Sequence, residues 1–370
     1  MPVPAEPPTT HRVRIEPDSA PTVPSPERDL AYCEEMLPRV SRTFALCIKL
    51  LPSDLERSVM VAYLLCRIAD TIEDAEHLPA GGKRALLRRF AENVAAPGDD
   101  VDYLQEAFSG DGSAEDHLCH HANRVLRAFG RLNRDEQEAV RPWVEEMCAG
   151  MVEFSREPVT AGGESAMPSL ERLEDLDRYC YYVAGTVGHL LTALFSLKLA
   201  QRDRNRIPQL EAYATSFGLG LQLTNIIKDA AKDHRLGWSF IPRELCEREG
   251  INVDELFGPG HADASRRVFS VLIDKARAHL QDALHYTTLF PATQYRIRLF
   301  CLTSLYFAVR TLSLAAAEDG QLVEGGTVKI TRGEVYRILA TTCVVAPSNR
   351  MVRWYFRRLG RGASLQPSPQ

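Results

Sequence analysis

An all-α fold, a helical bundle around a central cavity, is what the sequence predicts, and three observations predict it. Between Arg28 and Gly360 apolar residues recur three and four apart, with few alternating β-branched stretches. Turn residues cluster where helices should stop, at Leu51-Pro52, Leu78-Pro-Ala-Gly-Gly82, Ala96-Pro-Gly-Asp99, Phe108-Ser-Gly-Asp-Gly112, Ala161-Gly-Gly163, Phe257-Gly-Pro-Gly260 and Glu324-Gly-Gly326. No Gly-x-Gly-x-x-Gly follows a strand pattern, so a Rossmann nucleotide domain is not expected. The expected organisation is a disordered Pro-rich tail over 1–27, one helical domain over 28–360 and a flexible tail over 361–370.

The 370 residues are 45% hydrophobic, enough for a large core, and 25% charged, as in an ordinary soluble protein. A net charge of -5 argues against nucleic acid as a partner. Nine cysteines without paired spacing suit a reducing cytoplasm. Residues 1–27 have neither a basic n-region nor an apolar h-region, so no signal peptide is expected. The run from Leu299 to Ala317 is long enough to cross a bilayer but carries Arg310, and a mid-span charge costs at least ~2.5 kcal/mol on insertion scales. A buried core helix is therefore expected there, and no transmembrane segment. The run His117-Leu-Cys119-His120-His121 is the one place that suggests a transition-metal site. Adjacent side chains on a helix diverge and no second ligand cluster follows, so it reads as a loop or helix start.

Two acidic clusters carry the chemistry. In Asp70-Thr-Ile-Glu73-Asp74 the three acids share one helix face, with Tyr63 and Arg67 along the same stripe. In Asn225-Ile-Ile-Lys228-Asp229-Ala-Ala-Lys232-Asp233 the residues Asn225, Asp229 and Asp233 form an i, i+4, i+8 ladder, with Gln222 one turn earlier. Like charges so spaced repel by roughly 0.2–0.5 kcal/mol per pair even when exposed, so stability gives no motive to collect them. The segments before each, Val61 to Ala69 and Ser216 to Thr224, are apolar on nearly every side, which places the acids at an interior cavity. Mg²⁺ prefers oxygen ligands and is held by one or two carboxylates plus substrate phosphates. Two carboxylate walls across a gap fit a diphosphate gripped through Mg²⁺.

From about Arg39 to Phe356 the chain resembles the squalene and phytoene synthases, the head-to-head branch of the all-α isoprenoid synthases. The segments that match, in order, are Ser41-Arg42-Thr43-Phe44, Asp70-Thr-Ile-Glu73-Asp74, Tyr179-Cys-Tyr-Tyr-Val-Ala-Gly-Thr-Val-Gly188, Gln222-Leu-Thr-Asn225-Ile-Ile-Lys228-Asp229 and Val328-Lys329-Ile330. The resemblance implies that Asp70, Glu73 and Asp74 hold Mg²⁺ on one prenyl diphosphate. Asp229 and Asp233, helped by Gln222 and Asn225, would hold it on the other. It places Ser41, Arg42, Arg67 and Lys228 at the phosphates and Phe44 and Tyr63 along the cavity. Tyr179 corresponds to the tyrosine assigned to cyclopropane closure. The implied reaction joins two farnesyl diphosphates through presqualene diphosphate to squalene, with hydride from NADPH bound near Lys329 and Arg332. The implied setting is the cytoplasm, with peripheral membrane contact for an apolar product.

Four departures bear on the second half-reaction and on substrate length. Lys232 replaces an acid of the family pattern and projects about 20° from Asn225. Trp238 stands in place of a phosphate-facing arginine, for which Arg235 is a substitute. Ser304 and Leu305 stand in place of Pro-Gln, and Thr331 replaces a base. The same fold serves phytoene, dehydrosqualene or presqualene diphosphate synthesis, and single-substrate terpene synthesis, without NADPH. A non-catalytic prenyl-binding protein would need vestigial acids, yet Asp70, Asp74, Asp229 and Asp233 are all intact.

Overall fold

A computed structural model describes residues 25–96, 101–155, 167–317, 326 and 328–362. Its helices are α1 (Pro26–Val40), α2 (Arg42–Ile48), α3 (Ser53–Asp74), α4 (Ala80–Ala95), α5 (Asp102–Ala107), α6 (Ala114–His120), α7 (Ala122–Gly130) and α8 (Arg134–Phe154). There follow α9 (Leu173–Cys180), α10 (Thr186–Ser196), α11 (Ile207–Arg235), α12 (Arg243–Arg248), α13 (Ala262–Leu289), α14 (Tyr295–Ala315), α15 (Arg332–Val345) and α16 (Asn349–Leu359). Among the described residues there is no strand, only an isolated bridge between Ser169 and Ser239. The all-α expectation holds.

Several local expectations shift. Helix α1 starts at Pro26, inside the stretch read as tail, because proline is well placed in a first turn where its missing N–H costs nothing. Residues 1–24 and 363–370, and the stops expected at 97–99 and 161–163, lie outside the described residues, as does all but Gly326 of the stop at 324–326. Gly81 and Gly82 sit in the first turn of α4 rather than in a loop. The His117 to His121 run is not a helix start: it closes α6, which Ser113 caps, and leads into α7.

The longest helices set the frame. Helix α11 packs along α13 and crosses the α9–α10 segment, which Tyr181–Gly185 joins through a π-turn. Close approach there requires glycine. A Cβ on Gly188 would stand 2.0 Å from the carbonyl oxygen of Ala214, and one on Gly218 2.0 Å from that of Ala184. Helix α14 is apolar enough to cross a membrane, yet 89% of its apolar window is buried inside the protein, as expected of a core helix. Its Arg310 reaches Glu334 of α15 at 2.7 Å. Its fully buried Arg298 donates to the carbonyls of Phe290 and Ala346 and to Asn349 Oδ1, each at 2.7 Å, tying the ends of α13 and α15 to the start of α16. Buried guanidinium donors need such partners.

Candidate active site

Every residue expected to bind metal, substrate or cofactor, and Tyr179, lines one cavity of about 1290 Å³, above the ~300–1,000 Å³ usual for a small-molecule site, whereas Arg235, Leu305 and Thr331 do not line it. Its lower walls are apolar, from Ile48, Val59, Leu190, Phe217, Phe300 and Phe307. Its upper end is acidic.

Helix α3 supplies one acidic wall. The 3.6-residue period aligns Tyr63, Arg67, Asp70 and Asp74, while Glu73 is buried beside them. Burial pushes the Asp70 carboxyl up to about 7; Arg67 pulls it down and Asp74 pushes it up further. Arg67 lies 3.7 Å from Asp70 and donates to Glu115 at 3.0 Å. Its Nε is buried and has no partner among the described residues.

Helix α11 supplies the facing wall, with Gln222, Asn225, Lys228, Asp229, Lys232 and Asp233 on the cavity side. Lys228 is paired with Asp229 at 2.6 Å. The Asp233 carboxyl rises to about 6, first through burial and then through the Asp229 charge, with Asp74 adding from across the cavity and Lys232 and Lys228 opposing. Asp74 and Asp233 line the same cavity from these two helices.

Between the walls, Ser41 caps α2 by accepting from the Phe44 amide at 3.2 Å, which fixes Arg42 and Phe44 at the rim. The Phe44 and Tyr63 rings lie 5.5 Å apart. Burial pushes the Tyr63 phenol up to about 12, so it stays protonated. Tyr179 ends α9 nearly fully buried, stacked on Phe240 at 4.6 Å, and Phe240 meets Trp238 edge-on at 4.2 Å. Trp238 is thus part of an aromatic wall where a cation was expected. Phe240 was missed in the sequence, although an aromatic two residues from Trp238 was a usable signal. Lys83 of α4, buried on the same cavity, was also missed, because Pro-Ala-Gly-Gly before it read only as a stop.

Lys329 and Arg332 are exposed at the rim and make no ion pair among the described residues. Thr331 has a structural role: its hydroxyl accepts from the Glu334 amide at 3.2 Å and Glu334 returns the bond at 3.1 Å, a capping box for α15.

No three His, Cys, Asp or Glu side chains gather as a ready-made metal cluster among the described residues. The donor set still suits Mg²⁺, being all oxygen and under-compensated, as the raised Asp70 and Asp233 carboxyls show. The unpartnered Arg67 Nε suits a phosphate oxygen.

A family model described as squalene/phytoene synthase matches residues 37–334. Squalene synthase 1 of Arabidopsis thaliana is 31% identical over 328 residues, 87% of this chain and 73% of that protein. The squalene synthase of Cyberlindnera jadinii is 29% identical over 335 residues, 90% of this chain and 71% of that one. The solved complex of TcSQS with the ligand E5700 superposes with a TM-score of 0.76 at 27% identity, covering 92% of this chain and 93% of that one. A dehydrosqualene synthase bound to a ligand shares the fold, with a TM-score of 0.59 at 20% identity over 90% of this chain and 98% of that one.

Proposed function

The chain belongs to the squalene/phytoene synthase family and is a prenyltransferase, and from that premise we propose that it condenses two farnesyl diphosphates head to head through presqualene diphosphate to squalene. The observation that carries this reading is the pair of acidic walls, α3 and α11, closing the polar end of a large apolar cavity. Asp70, Glu73 and Asp74 would hold Mg²⁺ on one diphosphate, and Asp229 and Asp233, with Gln222 and Asn225, on the other. Mg²⁺ there supplies charge neutralisation to the departing diphosphate. Arg42, Arg67 and Lys228 bind phosphate oxygens, and Ser41 fixes the turn that presents Arg42.

The apolar walls hold the two prenyl chains side by side and exclude water from the allylic cation. Phe44, Tyr63, Tyr179 and Phe240 turn aromatic surface toward it, and a π face attracts a cation. An ordinary tyrosine titrates near pH 10, so Tyr179 does not act as a free base. Its hydroxyl passes the proton lost on cyclopropane closure to the released diphosphate. Lys329 and Arg332, unpaired at the rim, would hold the phosphates of NADPH, which supplies the hydride of the second half-reaction.

The same reading extends to a membrane. One face of α16 carries Arg350, Arg353, Arg357 and Arg358 beside exposed Met351 and Trp354, with no acid among them, in a protein of net charge -5. Such a face fits an anionic bilayer, into which a hydrocarbon product partitions. Equal sedimentation with anionic and neutral vesicles would remove this part of the reading.

The deciding experiment incubates purified protein with farnesyl or geranylgeranyl diphosphate and Mg²⁺, with and without NADPH, and identifies products by mass spectrometry. Squalene from farnesyl diphosphate only when NADPH is present is the expected result. One product spectrum regardless of NADPH would replace the proposal with a phytoene-like or terpene-forming activity. Lys329→Ala combined with Arg332→Ala should raise the NADPH requirement by about 10-fold or more and leave the first condensation intact.

A further inference from the structure

Lys83 is only 5% exposed and lines the same cavity as Asp70, Glu73 and Asp74, on the helix that follows α3 in the chain. Lysine is almost never so buried unless paired, because an ammonium withdrawn from water must be compensated. Among the described residues Lys83 makes neither a side-chain hydrogen bond nor an ion pair within 4.0 Å. The other cations differ. Arg67 is engaged with Glu115 and Asp70, Lys228 is closed on Asp229, and Arg42 and Lys232 are exposed. The backbone explains how Lys83 is presented: its amide donates to the Pro79 carbonyl at 3.0 Å in the first turn of α4. That turn carries no acid, and Pro79 gives it no side-chain cap.

We propose that Lys83 binds the substrate diphosphate at the α3 cluster, reaching it from α4 while Arg67 reaches it from α3. The inference rests on the reading that this cluster holds a prenyl diphosphate. An ammonium suits the task because it is a compact charge with three donors, able to follow phosphate oxygens as the leaving group departs. It also makes the two acidic walls unlike. The α3 wall has a buried, uncommitted cation beside it, whereas on the α11 wall Lys228 is already committed to Asp229.

The competing role is simple charge balance for the acids, and the two roles predict opposite effects. The test uses the full chain and three variants, Lys83→Met, Lys83→Arg and Asp70→Asn. Calorimetry measures Mg²⁺ alone, then inorganic diphosphate at saturating Mg²⁺. If Lys83 binds diphosphate, Lys83→Met should weaken diphosphate about 10- to 100-fold, and Lys83→Arg should restore most of the loss. If Lys83 only balances charge, Lys83→Met should tighten Mg²⁺ and leave diphosphate affinity unchanged, which overturns the proposal. Melting of each metal-free variant shows whether it is folded; should Lys83→Met fail to fold, the same comparison is made with Lys83→Gln. If diphosphate binding survives Lys83→Met but is lost in Asp70→Asn, the Lys83 proposal falls and the metal-site reading stands. If the wild type takes up no diphosphate with Mg²⁺, both fall.

Discussion

Asp29 and Asp70 are the same residue treated in opposite ways by one fold. Asp29 of α1 is 2% exposed and receives Arg127 at 2.8 Å and Arg131 at 2.6 Å. Burial alone would raise its carboxyl, but the hydrogen bonds and charges of the two arginines outweigh it and hold the group below its ordinary value. Asp70 has one arginine at 3.7 Å, and that arginine is shared with Glu115; its carboxyl stays raised, to about 7. Asp233 is raised likewise, to about 6. The fold therefore does supply full compensation for a buried acid where the acid serves structure. Where it withholds compensation, at Asp70 and Asp233, the proposed function places the bound cations.

The largest expected effect separates the two kinds of acid by activity. Asp70→Asn should reduce turnover to below about 1% of wild type, since metal neutralisation supplies several kcal/mol to the departing group. The metal-free variant should melt at least as high as wild type at pH 8, because it removes an under-paired charge. Product formation at saturating Mg²⁺ and a melting curve in EDTA measure both. Near-normal turnover would erase the distinction drawn between Asp70 and Asp29.

Asp29→Asn should do the reverse, costing stability and sparing chemistry. Stranding a fully buried charge costs ~3–5 kcal/mol, and the loss here should be smaller because Arg127 and Arg131 keep 17% and 37% exposure. Denaturant unfolding gives the stability, and turnover per folded molecule should match wild type. A stable Asp29→Asn protein with lost turnover would show that α1 acts on the cavity.

How much of this contrast is legible in the sequence depends on what each feature rests on. The α3 and α11 acids and Tyr63 follow from helical spacing, and Phe44 follows from the Ser41–Phe44 segment that carries the family resemblance, although Lys232 departs from the α11 pattern. Helix α14 follows from its apolar run and the placement of Arg310. Lys83 does not follow, because its burial depends on where α4 docks, and a Gly-Gly-Lys stretch looks the same in a loop or a first turn. The Tyr179–Phe240–Trp238 wall depends on a loop folding back across α9. Asp29 gives no local sign of being buried, since both its arginines lie about a hundred residues away on and just after α7. Periodicity reports which residues share a helix face; it does not report which faces meet.

The smallest effect, and the one that tests the comparison most directly, is on pH. Asp70 and Asp233 have folded carboxyls near 7 and 6, above the ordinary 3.9 of an unfolded chain. Between pH 4 and 7 the folded protein therefore binds more protons than the unfolded one, and stability falls as pH rises through that window. Asp29 has the opposite sign: its contribution is present above about pH 3.9 and is lost only as pH falls through its lowered folded value. From pH 5 to 8 Asp29 is thus silent and the cavity acids alone distinguish wild type from an Asp70→Asn, Asp233→Asn double variant. In EDTA the variant's advantage in melting temperature should be small at pH 5 and grow toward pH 8. With Mg²⁺ added, affinity for the wild type should strengthen as pH rises from 6 to 8, because the same two protons must leave. Parallel melting temperatures for the two proteins across pH 5–8 would mean that the cavity acids are as well compensated as Asp29, and the contrast would have no energetic content.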